Sequence, residues 1–302
     1  MRGYPKTNHK GHKGHKGEEG RGPAILCIFR ALCGLRITPI NPRGGWALIR
    51  STWLSWMQHR GFFFLLAFGW MIPPLVALFV WTAAAGEGAI GGLDRGDFAA
   101  YYLTLILVNQ LTYAQTNWTV GDLIRDGSLN TWLLRPMSPL YNALASEIAG
   151  KVVFMTFAIP VTAALALALR PTIELTLANA LFGVLALLLA WALRFFWGYW
   201  LALGAFWSTR ADALLSLQDA LVFILAGQVA PPTLLPGFLR TLAHWLPFHS
   251  MLSFPVQVLT GQVGPAGLWQ GLALQAGWLA VAMLLYAVLW TAGLRRYAAV
   301  GG

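Results

Sequence analysis

Between Phe62 and Ala85 the chain contains no Asp, Glu, Lys or Arg, and comparable apolar stretches recur along its length. A membrane-spanning helix needs about 20 apolar residues, because each residue adds about 1.5 Å toward crossing a hydrocarbon core of about 30 Å. Charged residues make up only 11% of the chain, against about 25% in soluble domains. These features predict an all-α polytopic membrane protein.

Six stretches are predicted to be membrane spans. They are 62–85, 98–120, 152–169, 175–206, 214–229 and 268–291. Cytoplasmic loops are enriched in Lys and Arg, which favours the topology with eight such residues in inner segments and three in outer ones. The inner set is Arg50, Arg60, Arg125, Arg135, Lys151, Arg210, Arg295 and Arg296, and the outer set is Arg95, Arg170 and Arg240. We therefore predict a plasma (inner) membrane protein with both termini in the cytoplasm.

Residues 1–45 differ in composition from the remainder of the chain, 46–302, which we treat as a single membrane domain. They hold nine of the 21 Lys and Arg residues and the triplet HKG three times in succession, at 9–17. The spaced histidines could form a weak metal site, but the segment is too polar to bury a core, so we predict a disordered low-complexity tail. Because the excess positive charge is concentrated there, the sequence gives no basis for a folded nucleic-acid interface.

Three further segments have distinctive patterns. Apolar and polar residues from Trp46 to Arg60 alternate with helical spacing, which predicts an amphipathic interfacial helix or, alternatively, an extension of the first span. Pro73–Pro74 predict a kink in the first span. The stretch 231–265 is apolar but interrupted by prolines, which favours short re-entrant helices such as Phe238–Leu246 at the outer side.

No sequence motif for nucleotide binding, acyl transfer or zinc binding occurs in the chain. His244 and His249 flank Pro247 and are interpreted as structural or interfacial. Arg194 and Asp219 lie inside predicted spans, where charges usually have a partner or a task. Either these two pair, or Arg194 extends to the inner interface. Glu147 and Lys151 are interpreted as a helical surface pair.

The inner connection between the second and third spans, Gly121–Tyr141, is the most specific local feature. It begins with mixed charge, contains an amphipathic stretch around Leu129 and Trp132, and ends at Arg135–Pro136, where proline terminates a helix. A short helix held between two spans could serve as a docking element for a second protein. Alternatively, it packs beneath its own bundle.

With these residues the chain resembles the permease subunits of ATP-binding-cassette exporters, the ABC type-2 (type V exporter-like) family, in its six-span branch. The resemblance covers Trp46 to the C-terminus. It is carried by DGSLNTWLLRPMSPL (126–140), PPTLLPGFLRTLAHWLPF (231–248) with FPVQVLTG (254–261), and GLRRYAAVGG (293–302). Residues 1–45 fall outside the family pattern.

The resemblance implies six spans, an amphipathic helix before the first and re-entrant outer helices before the sixth. It also implies a nucleotide-binding ATPase subunit that binds ATP and Mg, a second permease subunit (the same chain or another), and no cofactor or metal in this chain. The coupling residues would be Gly127, Leu129, Leu133, Leu134, Arg135, Pro136 and Pro139.

The leading hypothesis is therefore a transport subunit, not itself an enzyme, that exports a hydrophobic or amphipathic solute. The alternative is a membrane-embedded enzyme acting on a lipid carrier through Arg194, Asp219 and His244. A structural or assembly membrane protein is a third hypothesis.

Overall fold

The structure, a computed structural model, describes residues 42–135, 138–173 and 176–297. Within these ranges the chain forms twelve α-helices and no strand. They are α1 (Pro42–Gln58), α2 (Arg60–Ala85), α3 (Arg95–Thr112), α4 (Thr116–Arg125), α5 (Leu129–Leu133), α6 (Pro139–Leu169), α7 (Leu177–Ala202), α8 (Ala211–Leu225), α9 (Gly237–Trp245), α10 (Pro247–Met251), α11 (Ser253–Leu259) and α12 (Pro265–Arg296). Most of the predicted tail lies outside the described residues, although 42–45 already belong to α1.

Four of these helices are long and apolar enough to cross a membrane. They are α2, α6, α12, and α7 together with the 3-10 turn that extends it to Phe206. The all-helical membrane architecture is therefore confirmed. Helix α2 continues through Pro73 and Pro74, and α6 begins at Pro139, well before the predicted span at 152.

The predicted count of six spans is not confirmed. The stretch 98–120 is not one helix, because α3 ends at Thr112 and α4 begins at Thr116. The stretch 214–229 forms only the 15-residue α8. Helix α3 is surrounded by α2, α6, α7 and α11, so its surface faces protein and can carry Tyr, Asn, Gln and Thr in place of an apolar, lipid-facing surface.

Helix α1 corresponds to the predicted amphipathic helix, Trp46–Arg60. It ends at Gln58, and His59 separates it from α2, so it is not a continuous extension of the first span. Trp56 stacks on Phe63 at a centroid distance of 4.1 Å and lies against Phe154 of α6 at 6.0 Å. Trp46 and Trp53 remain exposed. One side of α1 thus packs on the bundle, and other aromatic residues of this helix remain exposed on its surface.

After α8 the chain becomes irregular but stays packed against the bundle. Tyr101 of α3 donates a hydrogen bond to the carbonyl of Gly227 at 3.1 Å, and Trp81 and Tyr102 both donate to the carbonyl of Val229. Gly227 has φ +82°, a left-handed conformation that favours glycine. Non-helical backbone at membrane depth requires such protein partners. This arrangement is therefore compatible with short helices after α8 that do not cross the membrane.

Helices α7 and α12 run parallel and define the two ends of the bundle. Phe182 packs against Trp269 near their N-termini, at 5.6 Å between ring centroids. Phe206 packs against Tyr297 at the opposite end, at 5.9 Å. We call the first the histidine end, because α9 and α10 lie there, and the second the docking end, because α4 and α5 lie there.

Candidate functional site

The docking segment, residues 126–135, lies at the docking end between α4 and α6. Leu129 is 1% exposed and anchors the segment in the core, whereas Leu133 is 39% and Leu134 86% exposed. Arg135 is also exposed. The segment therefore turns two leucines and an arginine outward from a short helix whose first residue is buried.

Two other predicted coupling residues, Gly127 and Pro139, shape the backbone on either side of α5. Gly127 has φ +78°, so it allows the turn between α4 and α5. Pro139 is buried at the start of α6, where Ser138 caps the helix by accepting a hydrogen bond from the Tyr141 amide. Pro136 lies outside the described residues, and its coupling role stays a prediction.

Local hydrogen bonds fix the shape of the docking segment. The Asp126 carboxylate accepts from the Ser128 amide at 2.9 Å and from the Ser128 hydroxyl at 2.6 Å. These bonds lower the pKa of Asp126 below its usual value. Tyr297, just after α12, donates its hydroxyl to the carbonyl of Gly127 at 2.7 Å. The segment is thus tied to the end of a long helix.

A second tie joins α4 to the start of α8. Arg125 donates to the carboxylate of Asp212 and to the carbonyl of Thr209, both at 3.3 Å, and also pairs with Asp122. All of these side chains are substantially exposed, so the pairs contribute little stability individually. Their effect is to connect α4, which leads into the docking segment, with the start of α8.

The break between α3 and α4 is stabilised by hydrogen bonds from two charged side chains of α6. Glu147 accepts hydrogen bonds from the Thr116 amide at 2.7 Å and from the Thr116 hydroxyl at 2.6 Å. Lys151 donates to the carbonyl of Tyr113 and, at 2.9 Å, to Glu147. The helix ends would otherwise leave unsatisfied backbone groups in a buried site. These contacts explain why the predicted span 98–120 is broken.

Glu147 and Lys151 are therefore not the predicted surface pair. Glu147 is 3% exposed, and the Lys151 side chain is largely buried. Their spacing of four residues was recognised in the sequence, but the face on which they lie was not. A signal for burial was present, since the pair begins the apolar run of α6.

Arg194 of α7 is held inside the bundle and makes no direct ion pair with Asp219 among the described residues, although the two charges interact electrostatically over a longer distance. It is buried, and it donates hydrogen bonds at 2.9 Å to the Asn109 amide oxygen and to the Thr112 hydroxyl of α3. Its guanidinium carbon lies 5.4 Å from the centroid of the Tyr113 ring. Among the described residues the ion pairs do not include Arg194 with Asp219. Asp219 instead accepts from Gln218.

These contacts form one buried group, which we call the polar cluster. Its members are Asn109, Thr112, Thr116, Glu147, Lys151 and Arg194. Two cations and one carboxylate are held there by hydrogen bonds to α3 and α4. The cluster joins α6 to α4, the helix that leads directly into the docking segment, and joins α7 to α3. A displacement of α4 would therefore change contacts deep in the bundle.

The residues of the enzyme alternative do not converge. Arg194 belongs to the polar cluster, and the ring contacts of His244 are with Trp245 and His249 at the histidine end. Asp219 has a hydrogen bond with neither residue in the described part of the chain. General acid–base catalysis needs its groups within hydrogen-bonding reach of one reacting centre, and no hydrogen bond joins these three side chains in the described part of the chain.

Comparison with known proteins identifies one related family. A family model described as ABC-2 family transporter protein matches residues 68–301. No curated protein and no solved structure gives a significant match. The matched range includes the docking segment, the polar cluster and the two histidines.

Proposed function

Because the chain belongs to the ABC-2 family of transporters, and is thus an integral membrane permease subunit of an ABC transporter, we propose that it exports a hydrophobic or amphipathic solute. The energy comes from a separate nucleotide-binding subunit, which binds ATP and Mg. A second permease subunit, the same chain or another, completes the transport path.

We propose that the ATPase subunit binds at Leu133, Leu134 and Arg135. The observation that carries this proposal is the exposure of Leu134, at 86%, on a short helix whose base is buried. Neighbouring exposed groups at this end include Asp122, Arg125, Asp126 and Arg210. Lipid does not cover a surface so rich in charge, so a protein partner is the better explanation for exposed leucines.

Coupling follows from one tie of this segment and two ties of α4, the helix that leads into it. Tyr297 links it to α12, Arg125 links α4 to α8, and Glu147 holds the first turn of α4 against α6. When the ATPase subunits close, movement of the docking segment would be transmitted to these helices. The transport path would then open through a shift between two packed arrangements.

The orientation that this mechanism needs is the one predicted from the Lys and Arg distribution. The docking end faces the cytoplasm, both termini are cytoplasmic, and the protein lies in the plasma (inner) membrane. Exposed cations at the docking end, including Arg125, Arg135, Arg210, Arg295 and Arg296, support this orientation.

Co-purification with a candidate ATPase subunit tests the docking proposal. Leu134→Glu places a charge in the centre of the proposed interface and should weaken the complex at least tenfold, about 1.4 kcal/mol. Leu133→Glu should have a similar but smaller effect because this leucine is less exposed. The matched control is Gln58→Glu, a charge added at an exposed position at the end of α1.

The control should bind normally, and all three variants should elute as folded protein. Unchanged affinity after both leucine substitutions would show that the ATPase binds elsewhere. Hydrolysis of ATP by the permease alone would contradict the assignment of the energy source to a partner.

A further inference from the structure

A cavity at the histidine end brings together His244 of α9 and His249 of α10. It has a volume of about 220 Å³ and is also lined by Gln257, Gln270 and Phe254. The two imidazole ring centroids are 6.0 Å apart. From the sequence these histidines were interpreted as structural or interfacial, and the structure places them in different helices that meet at this cavity.

Nδ1 of His249 is buried and has no hydrogen-bond partner among the residues that the structure describes. A buried nitrogen without a partner costs about 1 to 3 kcal/mol, and in native proteins such an atom usually has a bound water or ion. The atom lies in a residue that lines the cavity. The structure thus contains an unused ligand atom next to a second imidazole.

We propose that this cavity binds a divalent transition-metal ion of the Zn²⁺, Ni²⁺ and Cu²⁺ class through His244 and His249. Neutral imidazole is a preferred ligand of these ions. With metal–nitrogen bonds of about 2.1 Å, two imidazoles on one ion have ring centroids roughly 5 to 6 Å apart. The observed centroid separation of 6.0 Å lies at the upper end of this range.

The remaining ligands would be water and the side-chain oxygen of Gln257 or Gln270. Within the described residues no group of three His, Cys, Asp or Glu side chains completes a stronger site. With only two nitrogen ligands from the protein, a metal ion at this site should exchange readily with solution. An ion held there would connect α9 to α10 across Leu246–Pro247, at the end of the bundle opposite the docking segment.

The test uses the full-length chain purified in detergent without a histidine tag. His9, His12 and His15 are replaced by Gln in every sample, because the repeated HKG triplets would bind the same ions. Titration calorimetry with Ni²⁺ measures affinity and stoichiometry. Electron paramagnetic resonance with Cu²⁺ counts the bound imidazole nitrogens.

We expect one ion per chain and two imidazole nitrogens on Cu²⁺. His244→Gln and His249→Gln should each weaken Ni²⁺ binding at least about tenfold. The matched control is His59→Gln, which removes the remaining histidine, an exposed one between α1 and α2, and should leave affinity unchanged.

His244 is exposed, so its replacement should fold normally even if loss of His249 disturbs packing. The thermal midpoint of each variant without metal checks this. Ni²⁺ binding that is unchanged in both His244→Gln and His249→Gln, or no Ni²⁺ binding by the chain that keeps both histidines, would overturn the proposal and leave a bound water as the partner of His249. This proposal does not depend on the ATPase docking site.

Discussion

Glu147 is the residue on which the polar cluster most depends. It is the carboxylate that both satisfies the first turn of α4 and pairs with Lys151. Removing one partner of a buried ion pair costs far more than the pair contributes, because the other charge remains without compensation. The cluster is therefore sensitive to changes in charge even where shape is preserved.

Glu147→Gln should destabilise the protein by about 3 to 5 kcal/mol. Glutamine can still accept the hydrogen bonds of Thr116 through its amide oxygen. The loss of stability therefore reports the effect of removing the negative charge alone. Thermal unfolding in one detergent measures the effect. Asp122→Asn is the matched control, because it neutralises a carboxylate in an exposed pair with Arg125 and should cost less than about 1 kcal/mol.

A double variant distinguishes charge from shape. Adding Lys151→Met to Glu147→Gln removes the unpaired cation and should recover part of the lost stability, giving a favourable coupling energy in the cycle. The interpretation of a buried pair is wrong if Glu147→Gln is no more harmful than Asp122→Asn.

At the residue scale, sequence reasoning located charges but not their partners. Arg194 was recognised because it interrupts an apolar helix, yet its hydrogen bonds go to Asn109 and Thr112. Neutral polar residues carry no comparable signal, since in sequence they are compatible with many environments. Tyr297 was likewise missed, because its contact with Gly127 joins segments 170 positions apart.

At the element scale, hydropathy predicted the long lipid-facing helices well. It predicted α2 and α12 closely because their surfaces are apolar on most sides. It was wrong about the continuity of 98–120, because the charges that divide this stretch come from α6. Helix α3 is central and α8 is short, so neither matches the pattern of a helix surrounded by lipid.

Close helix packing at the docking end depends on Gly293 of α12. A Cβ atom there would lie 2.2 Å from the Phe206 ring, at the 3-10 turn after α7. Gly293→Ala should therefore cost about 1 to 3 kcal/mol by overpacking. Gly277→Ala is the matched control on the same helix, since a Cβ there meets nothing within 4 Å.

The control should be neutral or stabilising by up to about 1 kcal/mol, because alanine loses less backbone conformational entropy than glycine when it becomes part of a helix. Thermal midpoints in the same detergent give both values. Equal effects of the two substitutions would mean that α7 and α12 do not approach each other as closely at Gly293 as the structure indicates.

At the scale of the whole molecule, the two ends have different chemistry. The docking end combines exposed leucines with charged side chains and is tied to three helices. The histidine end is built from short helices and follows a non-helical segment in which the carbonyls of Gly227 and Val229 accept hydrogen bonds from Trp81, Tyr101 and Tyr102. The two proposals therefore place the ATPase contact at one end of the permease and the metal-binding cavity at the other.

Cysteine labelling tests which end faces the cytoplasm. Native Cys27 and Cys33 are first replaced by Ser. Leu134→Cys then marks the docking end, and Glu87→Cys marks the opposite end, because the 26 residues of α2 separate Glu87 from the end where Arg60 lies. Both positions are exposed. An impermeant maleimide added to intact cells should label Glu87→Cys readily.

Leu134→Cys should be labelled only after the membrane is permeabilised, because an ATPase fuelled by cellular ATP can reach this residue only from the cytoplasm. Co-expression of the ATPase subunit should then slow labelling of Leu134→Cys in permeabilised cells without affecting Glu87→Cys. The reverse pattern, with Leu134→Cys labelled in intact cells, would place the docking segment outside and contradict both the Lys and Arg topology and the docking proposal.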